Sequence, residues 1–239
     1  MKITKFVAGV AALATVFSGF SYAGTTTIAT KYEQTFRENQ DYKVKFGINH
    51  VFDNRMYLGF EHQRRWRDEV SGSPELAENL FGIGYTYSLD EANRWSLQPR
   101  LEYKFNPGQE TARPMLRLNY RINDAWRVGG RYRYEYQTFR EGGGPRSRVN
   151  RFDGYVSYAL TDQIGLSWNP SYAYLLGDEG RMYTGGSDRW EHEFTVGYRI
   201  NPAHALALTY KRKDKTRDEA TYNAGKHNDA AQLTYSFRF

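Results

Sequence analysis

The sequence predicts an all-β fold, a 12-stranded antiparallel transmembrane β-barrel of the bacterial outer membrane. Three observations predict it. Apolar and polar residues alternate strictly along many segments, the connections between these segments alternate between short and long, and the chain ends on an aromatic residue, Phe239. Strands of ~10 residues, with short turns at one end of the barrel and longer loops at the other, are typical of outer-membrane barrels.

The composition of the 239 residues excludes several classes of protein. Hydrophobic residues make up 40%, charged residues 25% and aromatic residues 16%, a balance that excludes a disordered tail protein. The excess of aromatic residues, with 20 Tyr and 14 Phe, favours β-structure. Because the chain has no cysteine, disulfides, thiolate zinc sites, iron–sulfur clusters and cysteine nucleophiles are excluded together.

Residues 1–23 have the pattern of a signal peptide. Lys2 and Lys5 precede an apolar run from Phe6 to Phe20, and Ala23 completes a small-residue cleavage site. The run is shorter than the ~20 residues that span a bilayer. The sequence therefore predicts a single mature domain, residues 24–239. Without Lys2 and Lys5 the 33 basic residues become 31 against 27 acidic ones, a net charge of +4, and export with so modest a charge argues against a nucleic-acid partner.

Strict alternation along the chain predicts the strands. Between Trp95 and Phe105 the odd positions carry Trp, Leu, Pro, Leu, Tyr and Phe, whereas the even positions carry Ser, Gln, Arg, Glu and Lys. Successive side chains of a strand point to opposite faces, so this segment has one apolar and one polar face. The same rule predicts twelve strands, near 25–37, 42–51, 55–66, 78–89, 94–105, 112–122, 126–139, 151–160, 164–176, 189–200, 205–215 and 227–239.

The connections between these strands alternate in length. Short turns rich in Asn, Asp and Pro are predicted at 52–54, 90–93, 123–125, 161–163 and 201–204. Longer polar stretches lie between them, at 67–77, 106–111, 140–150, 177–188 and 216–226. With an even number of strands, this pattern places both termini on the short-turn side, which is periplasmic in outer-membrane barrels.

A soluble β-sandwich or lipocalin-like barrel is the alternative fold, because its strands also alternate. There the apolar face fills a core and the charged face meets water. The last strand favours the membrane barrel, since its aromatic alternation up to Phe239 resembles the C-terminal signal that such barrels present to their assembly machinery. Aromatic residues near predicted strand ends also suit the girdles at the two lipid interfaces; they are Trp95, Trp126, Tyr42 and Tyr210.

Three prolines, Pro99, Pro114 and Pro170, fall inside predicted strands. Proline cannot donate a backbone hydrogen bond, and a closed barrel in lipid requires its backbone groups to be paired. We therefore expect these prolines at β-bulges or near the rims of the barrel.

If the apolar face meets outer-membrane lipid, the polar face lines the lumen, where basic residues outnumber acidic ones on the fifth to seventh strands. Same-face neighbours on one strand lie ~6.6 Å apart, so these side chains form ladders. The candidate substrate path consists of Arg100, Lys104, Arg113, Arg117, Arg121, Arg127, Arg131 and Arg133, extended elsewhere by Arg199 and Lys211. Two interpretations stay open: a path for anions, or Arg–Glu pairs that fill the lumen, as Glu102 between Arg100 and Lys104 suggests.

Two segments of the chain resemble a known family. They are 117–136, RLNYRINDAWRVGGRYRYEY, and 151–160, RFDGYVSYAL. Both resemble the oligogalacturonate-specific monomeric porin family, which includes a sialic-acid-inducible channel. The resemblance implies a monomeric twelve-stranded outer-membrane channel whose arginine and lysine tracks let acidic oligosaccharides diffuse into the periplasm. It implies the track role for the arginines of the first segment, Arg117, Arg121, Arg127, Arg131 and Arg133.

Catalytic and metal sites find little support in the sequence. The five histidines are His50, His62, His192, His204 and His227. His192 lies between Glu191 and Glu193, but alternation sends the imidazole to one face and both carboxylates to the other. The acidic segment 177–180 lacks the ligand spacing of a calcium loop. We therefore expect no enzyme activity, no metal and no cofactor, with an outer-membrane barrel hydrolase and a surface barrel with a blocked lumen as the alternatives.

Overall fold

The structure is a computed structural model that describes residues 24–36, 41–67, 76–139, 146–177, 188–213 and 229–239. The predicted signal peptide, residues 1–23, and the predicted loop at 216–226 lie outside the described residues. Within the described ranges, no helix is long and apolar enough to cross a membrane.

Twelve strands run through the described part of the chain. They are β1 (Gly24–Thr35), β2 (Asp41–Phe52), β3 (Met56–Arg67), β4 (Leu76–Tyr85), β5 (Trp95–Phe105), β6 (Gln109–Arg121), β7 (Trp126–Phe139), β8 (Ser147–Ala159), β9 (Ile164–Leu175), β10 (Asp188–Arg199), β11 (His204–Lys213) and β12 (Ala230–Arg238). After Thr86, a two-residue continuation of β4, Tyr87–Ser88, pairs with β5 in the same register.

The strands form one closed antiparallel sheet. Each strand pairs with its neighbours in sequence, and β1 pairs with β12, so that Tyr32 lies opposite Leu233. The predicted twelve-stranded barrel is therefore confirmed. The connections at 53–55, 89–94, 122–125, 160–163 and 200–203 lie at one end, here called the short-turn rim, and the opposite end is called the long-loop rim.

Two strands begin three or more residues earlier than the sequence predicts. β6 starts at Gln109 instead of 112, and β8 starts at Ser147 instead of 151. Both extensions pair with β7, because Gln109 lies opposite Phe139 and Ser147 lies opposite Gln137. The predicted long loop at 106–111 is consequently a turn of residues 106–108. The added positions are mostly polar on both faces, so apolar alternation does not mark them as strand.

The two faces of the barrel differ in polarity. The outward face carries exposed large apolar side chains, among them Phe81, Ile83, Leu101, Leu116, Phe152, Val196, Leu208 and Leu233. The luminal face is polar, and its buried side chains include Glu33, Thr111, Asp153, Glu191 and Thr209. A soluble barrel has the opposite distribution, with its apolar residues inside, so the lipocalin-like alternative is wrong.

Aromatic side chains form outward belts near both rims. At the short-turn rim Trp95 stacks on Tyr120 with ring centroids 4.3 Å apart, and Trp126 contacts Tyr158 at 4.6 Å. Pairs nearer the long-loop rim are Tyr32 with Tyr42 and Tyr172 with Trp190. Rings with one polar end suit the two interfaces between lipid and water.

Each of the three prolines interrupts one ladder of backbone pairing without shifting the register. The β4–β5 ladder has a gap opposite Pro99, the β6–β7 ladder at Pro114, and the β8–β9 ladder at Pro170. On both sides of each gap the partners continue in the same register, and the gaps lie within the strands. The expected bulges or rim positions are therefore wrong. Because proline has no N–H, the pair is left open at that point while the flanking pairs hold the strands together.

Gly154 leaves room for one of these prolines. It faces the gap at Pro170, and a Cβ at Gly154 would lie 3.1 Å from Pro170 Cγ. Gly130 lies directly opposite Gly154 on β7, yet a Cβ there would lie 3.9 Å from the nearest atom, the carbonyl oxygen of Asp153. The two glycines therefore form a matched pair with different surroundings.

We expect Gly154→Ala to destabilise the barrel relative to Gly130→Ala by roughly 1 kcal/mol, because overpacking forces the Pro170 ring or the backbone to move. Both substitutions remove the same glycine freedom from the unfolded chain, so their difference isolates the contact. The measurement is the urea midpoint of unfolding from lipid vesicles, followed by tryptophan fluorescence. Equal midpoints for the two variants would show that the Pro170 contact does not constrain position 154.

Candidate functional site in the lumen

All ten residues of the predicted substrate path lie at luminal positions of the sheet. Arg117 on β6 lies directly opposite Arg131 on β7, and Arg121 lies opposite Arg127. Residues directly opposite each other point to the same face. The other six, Arg100, Lys104, Arg113, Arg133, Arg199 and Lys211, occupy luminal positions of β5, β6, β7, β10 and β11.

Toward the long-loop rim the basic residues of β5 to β7 form ion pairs. Glu135 contacts both Arg133, at 2.6 Å, and Arg113, at 3.5 Å. Lys104 Nζ lies 2.6 Å from Glu78 Oε2. These side chains are mostly shielded from solvent, so the carboxylates cancel much of the positive charge in this part of the lumen.

A second cluster of ion pairs spans the closure of the barrel and connects β1 and β2 with β10 and β11. Lys211 Nζ on β11 lies 2.8 Å from Glu33 Oε2 on β1 and 3.6 Å from Glu193 Oε1 on β10. Lys43 on β2 contacts the other oxygen of Glu33 at 2.6 Å. Glu33 is only 2% exposed and both its oxygens are engaged, so this cluster stabilises the closure between β11 and β2.

Asp153 on β8 holds two arginines near the middle of the lumen. Its Oδ2 accepts a hydrogen bond from Arg131 Nε at 2.9 Å, and its Oδ1 accepts one from Arg151 Nε at 2.8 Å. Arg151 also contacts Glu191 at 2.8 Å. Arg131, one of the predicted path residues, is therefore already paired.

Arg100 lies in the same central zone and has an aromatic partner. Its guanidinium carbon lies 3.8 Å from the centroid of the Tyr57 ring, and its Nη1 lies 4.0 Å from Glu102 Oε1. The ring face and the distant carboxylate both stabilise the cation.

Four of the ten path residues have no carboxylate within ion-pair distance in the described part of the chain; they are Arg117, Arg121, Arg127 and Arg199. Arg117 Nε donates to Asn119 Oδ1 at 2.6 Å, and Arg121 Nη2 donates to a backbone carbonyl at 3.1 Å. These four lie from the middle of the lumen toward the short-turn rim. Among these ten basic residues, those near the long-loop rim are thus paired with carboxylates, whereas those near the short-turn rim are not.

Three of these arginines share one recess. It has a volume of about 450 Å³ and opens on the luminal side of β5 to β8 near the short-turn rim. Its lining residues are Asn93, Arg94, Ser96, Gln98, Arg117, Asn119, Tyr120, Arg121, Arg127, Val128, Tyr155 and Ser157. We call it the basic recess, because its lining holds four arginines and no carboxylate.

The basic recess has the chemistry of a weak site for carboxylates. The directly opposed Arg121 and Arg127 repel each other, and an anion between them would relieve that repulsion. A guanidinium offers paired N–H donors that match a carboxylate, while Gln98 and Ser96 add neutral donors for hydroxyl groups. Because Arg121 and Arg127 are exposed, water screens each contact and keeps it shallow.

Sequence reasoning missed three residues of this region. Arg94 lines the recess from the turn before β5, where alternation assigns no face. Tyr155 and Tyr57 stand among polar neighbours on the luminal face, and their rings lie under Arg117 and Arg100. Alternation along β8 does indicate that Tyr155 is luminal, because it shares one face with Arg151, Asp153 and Ser157.

The histidines of the described residues, His50, His62, His192 and His204, all lie at outward positions. His192 is stacked between Trp168 and Trp190, at centroid distances of 6.2 and 6.1 Å. His227 lies outside the described residues. Across the described ranges, no group of three or more His, Asp and Glu side chains is arranged to hold a metal ion.

A closed barrel with an apolar outer face, aromatic belts and a charged lumen has the architecture of an outer-membrane β-barrel. The sequence comparison identifies the family. A profile of the oligogalacturonate-specific porin protein family, KdgM, matches residues 17–206, so the chain belongs to this family. The family that segments 117–136 and 151–160 resemble is therefore confirmed as the family of this chain.

Two relatives show how far the sequence similarity extends. The N-acetylneuraminic acid outer membrane channel protein NanC of Escherichia coli strain K12 is 22% identical over 237 residues, which cover 95% of this chain and 94% of NanC. The uncharacterized protein YiiY of Salmonella typhimurium is 28% identical over 127 residues. That alignment covers 53% of each chain, so this chain matches about half the length of YiiY.

Solved structures show the same fold. The NanC porin structure superposes with a TM-score of 0.69 at 17% identity and covers 89% of this chain and 98% of that one. The KdgM porin in complex with disordered oligogalacturonate superposes with a TM-score of 0.62 at 14% identity, covering 89% and 99%.

We expect Asp153→Asn to increase the anion preference of the channel. The substitution removes one negative charge and releases Arg131, whereas Arg151 keeps Glu191 as its partner. The measurement is the reversal potential of purified protein in a planar bilayer under a potassium chloride gradient. Ser167→Ala, at an uncharged luminal position of β9, is the control and should match the wild type. A wild-type reversal potential for Asp153→Asn would mean that this ion pair does not influence the ion path.

Proposed function

We propose that this porin lets acidic oligosaccharides of the oligogalacturonate type diffuse from the outside into the periplasm. The observation that carries the proposal is the basic recess, which holds four arginines and no carboxylate. Neutral sugars gain no Coulombic attraction from such a cluster of charge. A chain of uronates gains several weak attractions in succession and can exchange one arginine for the next.

The distribution of charge along the lumen supports passage of the substrate rather than tight binding. A channel conducts only if its sites are attractive enough to admit the substrate and weak enough to release it. Near the long-loop rim, carboxylates already satisfy the basic residues, as with Glu135 and Arg133. An acidic sugar therefore meets a polar but largely compensated wall first and the uncompensated recess afterwards.

The relatives support an acidic sugar as the substrate class. The KdgM structure is described as a complex with disordered oligogalacturonate, and NanC is named for N-acetylneuraminic acid. Both ligands carry carboxylates. The exposed Arg121 and Arg127 suit weak, water-screened binding of such a ligand here.

The proposal includes the biogenesis and state of the protein. Residues 1–23 act as a cleaved signal peptide, both termini lie in the periplasm, and the channel works as a monomer without enzymatic activity or cofactor. In support, Phe239 lies beside the first strand at the short-turn rim, where its N–H donates to the Thr26 carbonyl at 3.0 Å. The barrel-assembly machinery would recognise this terminal aromatic residue. The outward positions of His50, His62, His192 and His204 leave the described lumen without a histidine base, which argues against the hydrolase alternative.

A sealed surface barrel is the second candidate, and the many luminal ion pairs favour it. Side chains that bridge the lumen wall, such as Lys211 and Glu33, narrow the interior of a barrel of this size. The two candidates differ in conductance. A sealed barrel passes no ions in a bilayer, whereas the proposed porin conducts and is blocked by acidic sugars.

The proposal is tested by replacing the arginines of the basic recess. In the triple variant Arg117→Gln, Arg121→Gln and Arg127→Gln, we expect a loss of anion preference and at least roughly tenfold weaker block by oligogalacturonate, because three charges near the path are removed. Passage of neutral oligosaccharides should change little. The measurement is single-channel conductance and sugar block in planar bilayers.

Arg148→Gln is the matched control for this experiment. Arg148 is an exposed arginine at an outward position of β8, so the control removes a positive charge without touching the lumen. If the triple variant and the control both keep the wild-type reversal potential and sugar block, the proposed role of the basic recess is wrong.

The proposed orientation is tested by proteolysis of intact cells. We expect trypsin to cut first in the connections of the long-loop rim, at Arg140 or Arg146, because in the proposed orientation these connections face the outside of the cell. Arg55 and Arg94, in the turns of the short-turn rim, should be cut only after the outer membrane is opened. Early cleavage at Arg55 or Arg94 in intact cells would reverse the proposed orientation.

A further inference from the structure

Arg117 is held on two sides by neighbouring luminal side chains. Its Nε donates to Asn119 Oδ1 at 2.6 Å, and its guanidinium carbon lies 3.8 Å from the centroid of the Tyr155 ring. Asn119 is itself fixed, because its Nδ2 donates to Ser96 Oγ at 3.2 Å. Asn119 and Tyr155 therefore determine where the Arg117 guanidinium lies.

A competing carboxylate lies nearby on the same face. Arg117 lies opposite Arg131 on β7, and Arg131 lies opposite Asp153 on β8. Adjacent strands are about 4.8 Å apart, so Asp153 is about 10 Å from the Arg117 backbone, a distance that an extended arginine side chain largely spans. The Tyr155 ring is also 5.5 Å from the guanidinium carbon of Arg131. Tyr155 thus lies beside both arginines, next to Asp153 on the side of the short-turn rim.

Gly129 makes this arrangement possible. It lies between Asn119 on β6 and Tyr155 on β8 in the same cross-strand row. A Cβ at position 129 would lie 2.8 Å from the Leu118 carbonyl oxygen and 3.0 Å from Asn119 Oδ1. Because position 129 carries no side chain, Asn119 Oδ1 has room to lie where it accepts the hydrogen bond from Arg117 Nε.

We propose that Tyr155, together with Asn119, is a positioning residue that keeps Arg117 in the basic recess and out of the ion-pair network of Asp153. The inference rests on the proposed function, because it states that Tyr155 and Asn119 keep Arg117 available to acidic sugars. Without the ring, Arg117 swings toward Asp153, and the recess loses the uncompensated guanidinium nearest the middle of the lumen. In this proposal, the preference of the channel for acidic sugars depends in part on Tyr155, a residue that carries no charge.

The test uses Tyr155→Leu, which removes the ring and keeps an apolar side chain. We expect block of the chloride current by digalacturonate to weaken roughly threefold, because one cation moves away from the recess. Tyr155→Phe keeps the ring face and should restore the wild-type block constant. Tyr158→Leu, an outward position on the same strand, controls for loss of a tyrosine and should also match the wild type.

A double-mutant cycle with Asp153→Asn separates positioning from a general change of the lumen. If Tyr155 acts by keeping Arg117 from Asp153, then Tyr155→Leu has little effect once that carboxylate is neutral. An equal loss of block in both backgrounds overturns the proposal. So does a wild-type block constant for Tyr155→Leu in the native background.

Folding is checked by the heat-dependent electrophoretic mobility of each variant. If Tyr155→Leu does not fold, Asn119→Ala tests the other side of the same arrangement. It should weaken block in the native background and lose that effect with Asp153→Asn, and a wild-type block constant overturns the proposal. A wild-type channel that digalacturonate does not block at all refutes the proposed function itself, whereas a blocked wild type with unaffected variants refutes only the positioning role.

Discussion

Backbone hydrogen bonding in lipid is the constraint on which the rest of this structure depends. An unpaired N–H or carbonyl inside a bilayer is strongly unfavourable, so a sheet can cross only if its first and last strands pair with each other. Here β1 and β12 pair along nine positions, from Thr27 with Arg238 to Thr35 with Ala230. The ion pairs of Glu33 with Lys43 and Lys211 reinforce this closure from the lumen. The three proline gaps are tolerated because each interrupts the backbone pairing on only one side of its strand. The pairs before and after each gap remain intact.

Closure also fixes the chemistry of both faces. Once the register is set, every second residue meets lipid and the residues between them meet the lumen, so a strand cannot place two consecutive arginines inside. Positive charge accumulates instead in cross-strand rows, such as Arg117 with Arg131 and Arg121 with Arg127. Like charges directly opposite each other are destabilising. Such rows persist where a carboxylate compensates them, as Asp153 does for Arg131, or where water reaches them.

Much of the fold follows from the sequence, because alternation and turn chemistry are local signals. The twelve strands, the closed barrel and the luminal positions of all ten basic residues were predictable in this way. The extension of β6 to Gln109 was not, since polar residues beyond the apolar band carry no alternating signal. The pairing of Arg131 with Asp153 but not of Arg117 was not predictable either. Alternation fixes the face of a side chain, whereas its partner depends on side-chain reach across two or three strands.

The same local rule explains why the candidate site lies where it does. Compensating every arginine would leave a neutral wall with no preference for anions, and compensating none would leave repelling rows without a stabilising partner. The lumen combines both, with carboxylates toward the long-loop rim and, in the described lining of the basic recess, amides, hydroxyls and the Tyr155 ring. An aromatic ring stabilises a guanidinium without adding a negative charge, whereas a carboxylate offsets the positive field of the arginine. Tyr155 therefore holds Arg117 in place as Asp153 holds Arg131. The charge of Arg117 stays available to an approaching anion, whereas the charge of Arg131 is offset by the carboxylate.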